Sequence, residues 1–387
     1  MTNSAAFDGP PPPGTPRTPH RLLSRSDVVV LVVGAAGIVA AGLTRYLGGG
    51  AILAFLCAAV AVAVLAALVG RSVDQLGDRF GPGATGILQS ALGNLPELFI
   101  GLFALKAGLI AVVQAALIGS ILANLLLVMG LSFVVGGLKH GPQRLGSERA
   151  RSTTVLMLLS VAALVLPSLA TYVHTPAEGH ETTLSLIVSV ILLVLFLLTL
   201  PASLRRQSSG ASGKVAGSSD LGAAVREPDE AAETRWPLAL ALGVLVLSSA
   251  AAAFVSDWFV TALQPAMASL HISDAFAGLV IVAIAGNAVE NVVGVQLAAA
   301  NRSEYAFSVI INSPLQIALV LAPLLVIASQ VFSFTALTLV FSPMLVVSVV
   351  VAVVLSAFIT FDGESDWIEG AALIGVYGII ATSFWWG

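Results

Sequence analysis

Charge is what this 387-residue chain has least of. Lys, Arg, Asp and Glu together make up 10% of it, against a hydrophobic share of 57%. Soluble domains carry roughly 25% charged residues, and the mean hydropathy here is +0.98. A water-soluble globular protein is thereby excluded and an integral membrane protein indicated. The single cysteine, Cys57, rules out an intrachain disulfide and any cysteine-built zinc cage. The five histidines, His20, His140, His174, His180 and His271, all fall in tails or loops. None forms a HExxH-like pair, which leaves a metalloenzyme without support. No Ser/His or paired-Asp arrangement lies at membrane depth, so an intramembrane enzyme lacks support as well. Neither a cofactor nor a nucleic-acid partner is expected; membrane lipid is.

What is present is a succession of apolar runs, each near the roughly 20 residues that a membrane span requires. They cover 27–48, 51–70, 82–105, 109–138, 152–173, 182–204, 236–263, 274–300, 304–329, 333–361 and 366–386. The fourth and tenth are long enough to hide breaks. Residues 1–26 are basic and rich in Pro, Ser and Thr, which reads as a disordered tail. Residues 205–235 are rich in Ser and Gly and turn acidic at Asp220, Glu227, Asp229, Glu230 and Glu233, which reads as a solvated linker. With the N-terminus cytoplasmic, Arg45 and Lys106 are the only two of 17 basic residues outside. That bias orients the chain with its N-terminus inside and its C-terminus outside a cytoplasmic membrane.

Two acids break the apolar pattern. Glu97 sits in the third run within Gly93-Asn94-Leu95-Pro96-Glu97, and Glu290 in the eighth within Gly286-Asn287-Ala288-Val289-Glu290. An ionised side chain at the centre of a bilayer costs at least about 2.5–3.5 kcal/mol. In both places Asn stands three residues before the acid and Gly four, offsets that share one helix face. The same spacing aligns Gly119-Ser120 with Asn312-Ser313, followed by Asn124 in one copy and by Pro314 and Gln316 in the other. The third run passes from inside to outside and the eighth from outside to inside, so the two motifs point in opposite directions. The expected architecture is all-α: about eleven membrane helices, with an extra first helix (27–48), a five-helix repeat (51–204), the linker (205–235) and a second, inverted five-helix repeat (236–387).

Glu97 and Glu290 supply hard anionic oxygens, and Asn94, Asn287, Ser120, Ser313, Asn124 and Gln316 neutral polar groups. Gly93, Pro96, Gly286 and Pro314 favour local unwinding that frees backbone carbonyls as ligands. An all-oxygen set with two carboxylates suits Ca²⁺ better than zinc or copper, with Mg²⁺ or Mn²⁺ open by ligand type. The two carboxylates titrate as a coupled pair, so protons and a divalent cation compete for one site. Alternating exposure of that site to each side is sufficient for antiport. A passive channel is the rival from another class, but channels place acids in rings around a shared axis.

At these residues the chain resembles the Ca²⁺/cation antiporter superfamily and, within it, the Ca²⁺/H⁺ exchanger (CAX-type) branch. The likeness is carried by Gly93-Asn94-Leu95-Pro96-Glu97-Leu98, by Gly119-Ser120 through Asn124, and by Gly286–Glu290 with Asn312-Ser313-Pro314-Leu315-Gln316. It implies Glu97 and Glu290 as cation and proton carboxylates, with Asn94, Asn287, Ser120, Ser313 and Gln316 around them. Gly-Asn, in place of the Gly-Thr-Ser typical of sodium/calcium exchangers, implies H⁺ as the coupling ion over Na⁺. Two positions depart from the branch: Asn291 stands where His is usual, and Asn312-Ser313 where Gly-Ser is usual.

Overall fold

The computed structural model describes residues 23–80, 92–209 and 236–386. Helix α1 (Arg25–Tyr46) starts where it does because Ser24 and Asp27 form a capping box, each side chain accepting the other's backbone N–H at 3.1 Å. Then follow α2 (Ala51–Phe80), α3 (Leu95–Lys106), α4 (Ile110–His140), α5 (Ser147–Tyr172), α6 (Glu181–Ser209) and α7 (Leu238–Leu270). Helix α8 has two arms, Asp274–Gly286 and Ala288–Ala299; α9 (Ser303–Val331), α10 (Pro343–Ile359) and α11 (Trp367–Ser383) complete the chain. Among the described residues, seven helices are long and apolar enough to cross a membrane, or eight with bent α8 as one span. The molecule is a multi-pass helical membrane protein.

Several expected boundaries shift. The first helix begins at Arg25, inside the expected tail, while residues 1–22 lie outside the described chain. Helix α2 runs ten residues past the expected end at 70, carrying Arg71 and Arg79 on its last turns. Helix α6 continues through Ser209 into the expected linker, whose remainder, 210–235, lies outside the described residues, as does the stretch 81–91. The tenth run is not one helix from 333. Residues 334–342 are non-helical, and α10 starts at Pro343 under a Ser342 cap. Buried backbone that leaves the helix must find other partners. It finds them: Gln114 Nε2 donates to the Thr338 and Val340 carbonyls, Ser168 and Ser185 accept from Phe341 and Leu339 N–H, and Ser329 accepts from Leu337 N–H.

The same local pattern recurs 193 residues apart. Helix α3, Leu95–Lys106, maps onto the second arm of α8, Ala288–Ala299, and the start of α4 at Ile110 onto that of α9 at Ser303. Asn94 and Asn287, at the two breaks, have near-identical backbones: φ −95°, ψ 19° and φ −96°, ψ 20°. A π-helical turn follows in each half, Ala123–Val128 in α4 and Ile317–Leu321 in α9; a third, Ala277–Val282, lies in the first arm of α8.

Helices α4 and α9 are largely buried, whereas α1 and α6 expose most of their apolar length, as lipid-facing helices do. Helix α1 lies on α2, which runs along α7. Their shared end is pinned by Asp27, which pairs with Arg71 at 2.8 Å and accepts from Trp236 Nε1 at 3.0 Å. Elsewhere a short antiparallel pairing of β1 (Gln143–Arg144) with β2 (Glu364–Ser365) ties the α4–α5 turn to the α10–α11 turn. Glycine sets the closest approach in the interior. A Cβ on Gly119 of α4 would collide with the Leu279 carbonyl of α8, and one on Gly278 with the Val112 carbonyl. Such crossings, backbone against backbone, are how small residues hold membrane helices together.

Because the obstacle at Gly119 is backbone, it cannot swing aside. Gly119→Val is expected to destabilise by at least the roughly 1–3 kcal/mol typical of overpacking. A lowered melting temperature of the detergent-purified variant checks this; an unchanged one refutes the crossing as drawn.

Candidate functional site

Each of the two Gly-Asn breaks is followed by a new helix start, α3 in one half and the second arm of α8 in the other, and each carries its glutamate in the first turn. Positive helix ends favour a carboxylate there. Pro96 lies in that same first turn of α3, where its missing N–H leaves no hydrogen bond unmade. Pro314, by contrast, sits inside α9 without breaking it, just before the π-turn that begins at Ile317. The expected unwinding at Pro314 is therefore corrected: the helix continues through it. Between the two arms of α8 the chain bends by 62°.

At the centre, Glu97 is buried. Its Oε1 accepts from Asn287 Nδ2 at 2.5 Å and from Ser120 Oγ at 3.2 Å. Asn287 Nδ2 also lies 2.9 Å from Ser120 Oγ and 3.0 Å from the Ala283 carbonyl. On its other side, Asn287 Oδ1 accepts from Ser313 Oγ at 3.0 Å and from Asn124 Nδ2 at 3.2 Å. Asn124 Nδ2 reaches Ser313 Oγ at 3.3 Å as well, and its own helix at the Ser120 carbonyl, 2.9 Å. Five of the residues singled out by sequence thus form one network across α3, α4, α8 and α9. Two others, Asn94 and Gln316, bond to each other at 3.3 Å. Glu290 is half-buried and outside this network, yet within electrostatic reach of Glu97.

Gly286 has a second role that its place at a break did not reveal. A Cβ there would sit 2.6 Å from Glu97 Cγ and 2.8 Å from Oε1, so the absence of a side chain admits the carboxylate. Three buried oxygens near these breaks accept nothing: Glu97 Oε2, Asn124 Oδ1 and Asn291 Oδ1. Beside Glu97 and Ser120 lies a small cavity walled by aliphatic side chains such as Ile100, Val113, Leu321 and Leu325. Sequence reading missed these wall residues, because an aliphatic residue in a membrane helix carries no signal of what it faces.

Broken membrane helices converging on a buried acid define a class, the multi-pass ion-transport proteins with discontinuous helices. The chain belongs to the sodium/calcium exchanger family, whose model, described as "Sodium/calcium exchanger protein", matches residues 50–204 and 240–386. It is 37% identical over 347 residues to a Ca²⁺/H⁺ antiporter of Synechocystis sp., covering 88% of this chain and 92% of that one. To the Ca²⁺/H⁺ antiporter ChaA of Bacillus subtilis it is 35% identical, covering 84% and 90%. Among solved structures, native YfkE superposes with a TM-score of 0.75 at 32% identity, covering 92% of this chain and 99% of that one. The H⁺/Ca²⁺ exchanger CAX shares the fold at a TM-score of 0.67 and 16% identity, covering 93% and 92%.

A methyl group at Gly286 would push the Glu97 side chain off Asn287 and Ser120. Since that side chain can move, Gly286→Ala is expected to stay folded while ion exchange falls about 10- to 100-fold, the usual penalty for disturbing ligand orientation. Melting temperature and vesicle exchange, measured on the same preparation, check both halves of this expectation.

Proposed function

We propose that this protein is a secondary active antiporter that moves Ca²⁺ out of the cell in exchange for H⁺, across the cytoplasmic membrane. One observation carries the reading: the unmet demand at the polar centre is for positive charge. Glu97 Oε2 and Asn124 Oδ1 are buried acceptors with no donor. A buried unsatisfied group costs roughly 1–3 kcal/mol, more when charged. A proton on the carboxylate or a cation between the oxygens would remove that cost, and the two exclude each other. Competition of this kind, with exposure to one side at a time, is sufficient for exchange and needs no separate proton path.

In this reading Glu97 and Glu290 are the two carboxylates that take cation and protons. Asn287, Ser120, Ser313 and Asn124 hold Glu97 and contribute neutral oxygens, and Asn94 and Gln316 flank them. Hard oxygen donors favour Ca²⁺ over softer-liganded metals, and relatives named Ca²⁺/H⁺ antiporters at 35–37% identity support both ions. The recurrence of element starts at a 193-residue spacing supports two five-helix repeats, 51–204 and 236–387, of inverted topology, with α1 outside them. The placing of 15 of 17 basic residues on one side supports a cytoplasmic N-terminus and an outer C-terminus.

Radiolabelled Ca²⁺ uptake into everted membrane vesicles, driven by a pH jump with and without a Na⁺ gradient, tests this. Proton-driven uptake is expected in the wild type and abolished in Glu97→Gln and Glu290→Gln. Uptake that follows the Na⁺ gradient and ignores pH would reassign the coupling ion. Intact proton-driven flux in either variant would remove that glutamate from the site.

A further inference from the structure

Asn291 follows Glu290 on the second arm of α8. Residues Asn287, Glu290, Asn291 and Gly294 are spaced i, i+3, i+4 and i+7, which puts them on one face of that helix. The helix is regular there, with Asn291 N–H donating to the Asn287 carbonyl at 3.0 Å. Where this face points is fixed by Gly294. A Cβ on it would meet Ile310 of α9 at 2.7 Å and Val128 of α4 at 3.4 Å. The face therefore turns toward the two helices that carry Ser120, Asn124 and Ser313. On it, Asn291 Oδ1 is buried and accepts no hydrogen bond.

A buried amide oxygen left without a donor is a standing cost, and folding does not require it, since an apolar residue of the same size would avoid it. Such groups are the exception in folded proteins and call for an explanation. We propose that Asn291 is a further cation-binding residue, its side-chain carbonyl giving a neutral, hard oxygen to the divalent cation from the arm that carries Glu290. The proposal rests on reading the centre as a cation site. It adds a ligand that does not titrate, so the oxygen is available to the cation whatever the protonation of the two glutamates. That tips the competition toward the metal.

The test separates ligation from packing. Asn291→Leu keeps the branched four-heavy-atom shape and removes the oxygen, whereas Asn291→Asp keeps an oxygen at the same place. Ca²⁺ affinity is read twice, from the Ca²⁺-induced rise in melting temperature of purified protein and from the apparent KM for Ca²⁺ in proton-driven vesicle uptake. For Asn291→Leu both are expected to weaken about tenfold, while the ion-free melting temperature stays level or rises because an unsatisfied group is gone. Asn291→Asp is expected to recover Ca²⁺ binding. Unchanged Ca²⁺ affinity in Asn291→Leu overturns the assignment. So does a lower ion-free melting temperature that Asn291→Asp fails to repair, since that marks a structural role. If the wild type neither binds nor exchanges Ca²⁺, the functional reading fails and takes this one with it; if it does both, only the Asn291 assignment is at stake.

Discussion

A carboxylate in the middle of a membrane protein has to be held by something other than water, and here it is held from across the molecule. Glu97 belongs to the first half of the chain, yet its shortest hydrogen bond comes from Asn287, 190 residues further on, at 2.5 Å. The approach requires three concessions from the backbone. The chain must break before α3 so that Glu97 sits in a positive first turn. It must break again at Asn287, freeing that side chain to reach sideways. And Gly286 must lack a Cβ, or the carboxylate would have no room. The backbone crossing at Gly119 and Gly278 then sets how near α4 and α8 lie, and with it whether Ser120 reaches the same oxygen. Losing any one of these would strip the buried carboxyl of at least one of its two donors, a costly loss for a buried polar group.

The parts of this arrangement that were legible in sequence are those where chemistry conflicts with the surroundings. An acid in an apolar run is such a conflict, and a Gly-Asn pair repeated at the same distance before a second acid makes chance a poor explanation. Asn287, Ser120, Ser313 and Asn124 followed from the same alignment, and all four join the network around Glu97. Asn94 and Gln316 were named together by the motif but pair with each other instead. Spacing along a helix tells which face a residue shares, not which neighbour on another helix it will meet. The π-turns were invisible for a related reason: Ala123–Val128 and Ile317–Leu321 have no composition that differs from ordinary membrane helix.

The tenth apolar run shows where a length-based reading fails physically. Residues 333–361 are hydrophobic enough for one span, but residues 334–342 form a non-helical segment in which alternate side chains are buried. Its signs were present: Leu337, Leu339 and Phe341 alternate, with all three nearly fully buried, and Ser342-Pro343 is a helix start. What sequence could not provide was the partner for each backbone group. Those partners are side chains on α4, α5, α6 and α9, more than a hundred residues away in all but one case. Hydropathy measures transfer of side chains; it is silent on whether a distant serine will satisfy a peptide N–H.

The two glutamates share a local sequence and nearly superposable helix starts, yet their surroundings differ. Glu97 is clasped by Asn287 and Ser120, whereas Glu290 is half-buried and outside that network, with Asn94, the counterpart of Asn287, turned to Gln316. Near-identical backbones at Asn94 and Asn287 thus carry unequal side-chain partners. In the proposed cycle, with one site exposed to each side in turn, such an imbalance would distinguish one exposure from the other. A site symmetric in its bonds would have no reason to prefer either side. The bonds around Glu97 are few and individually modest, at about 0.5–1.5 kcal/mol for neutral donors and about 1.5–3 kcal/mol where the carboxylate is charged. An equal set re-formed around Glu290 would offset their loss. On the proposed exchange reading, the energetic difference between the two arrangements is small, and an ion or proton on the carboxylates would be sufficient to decide between them.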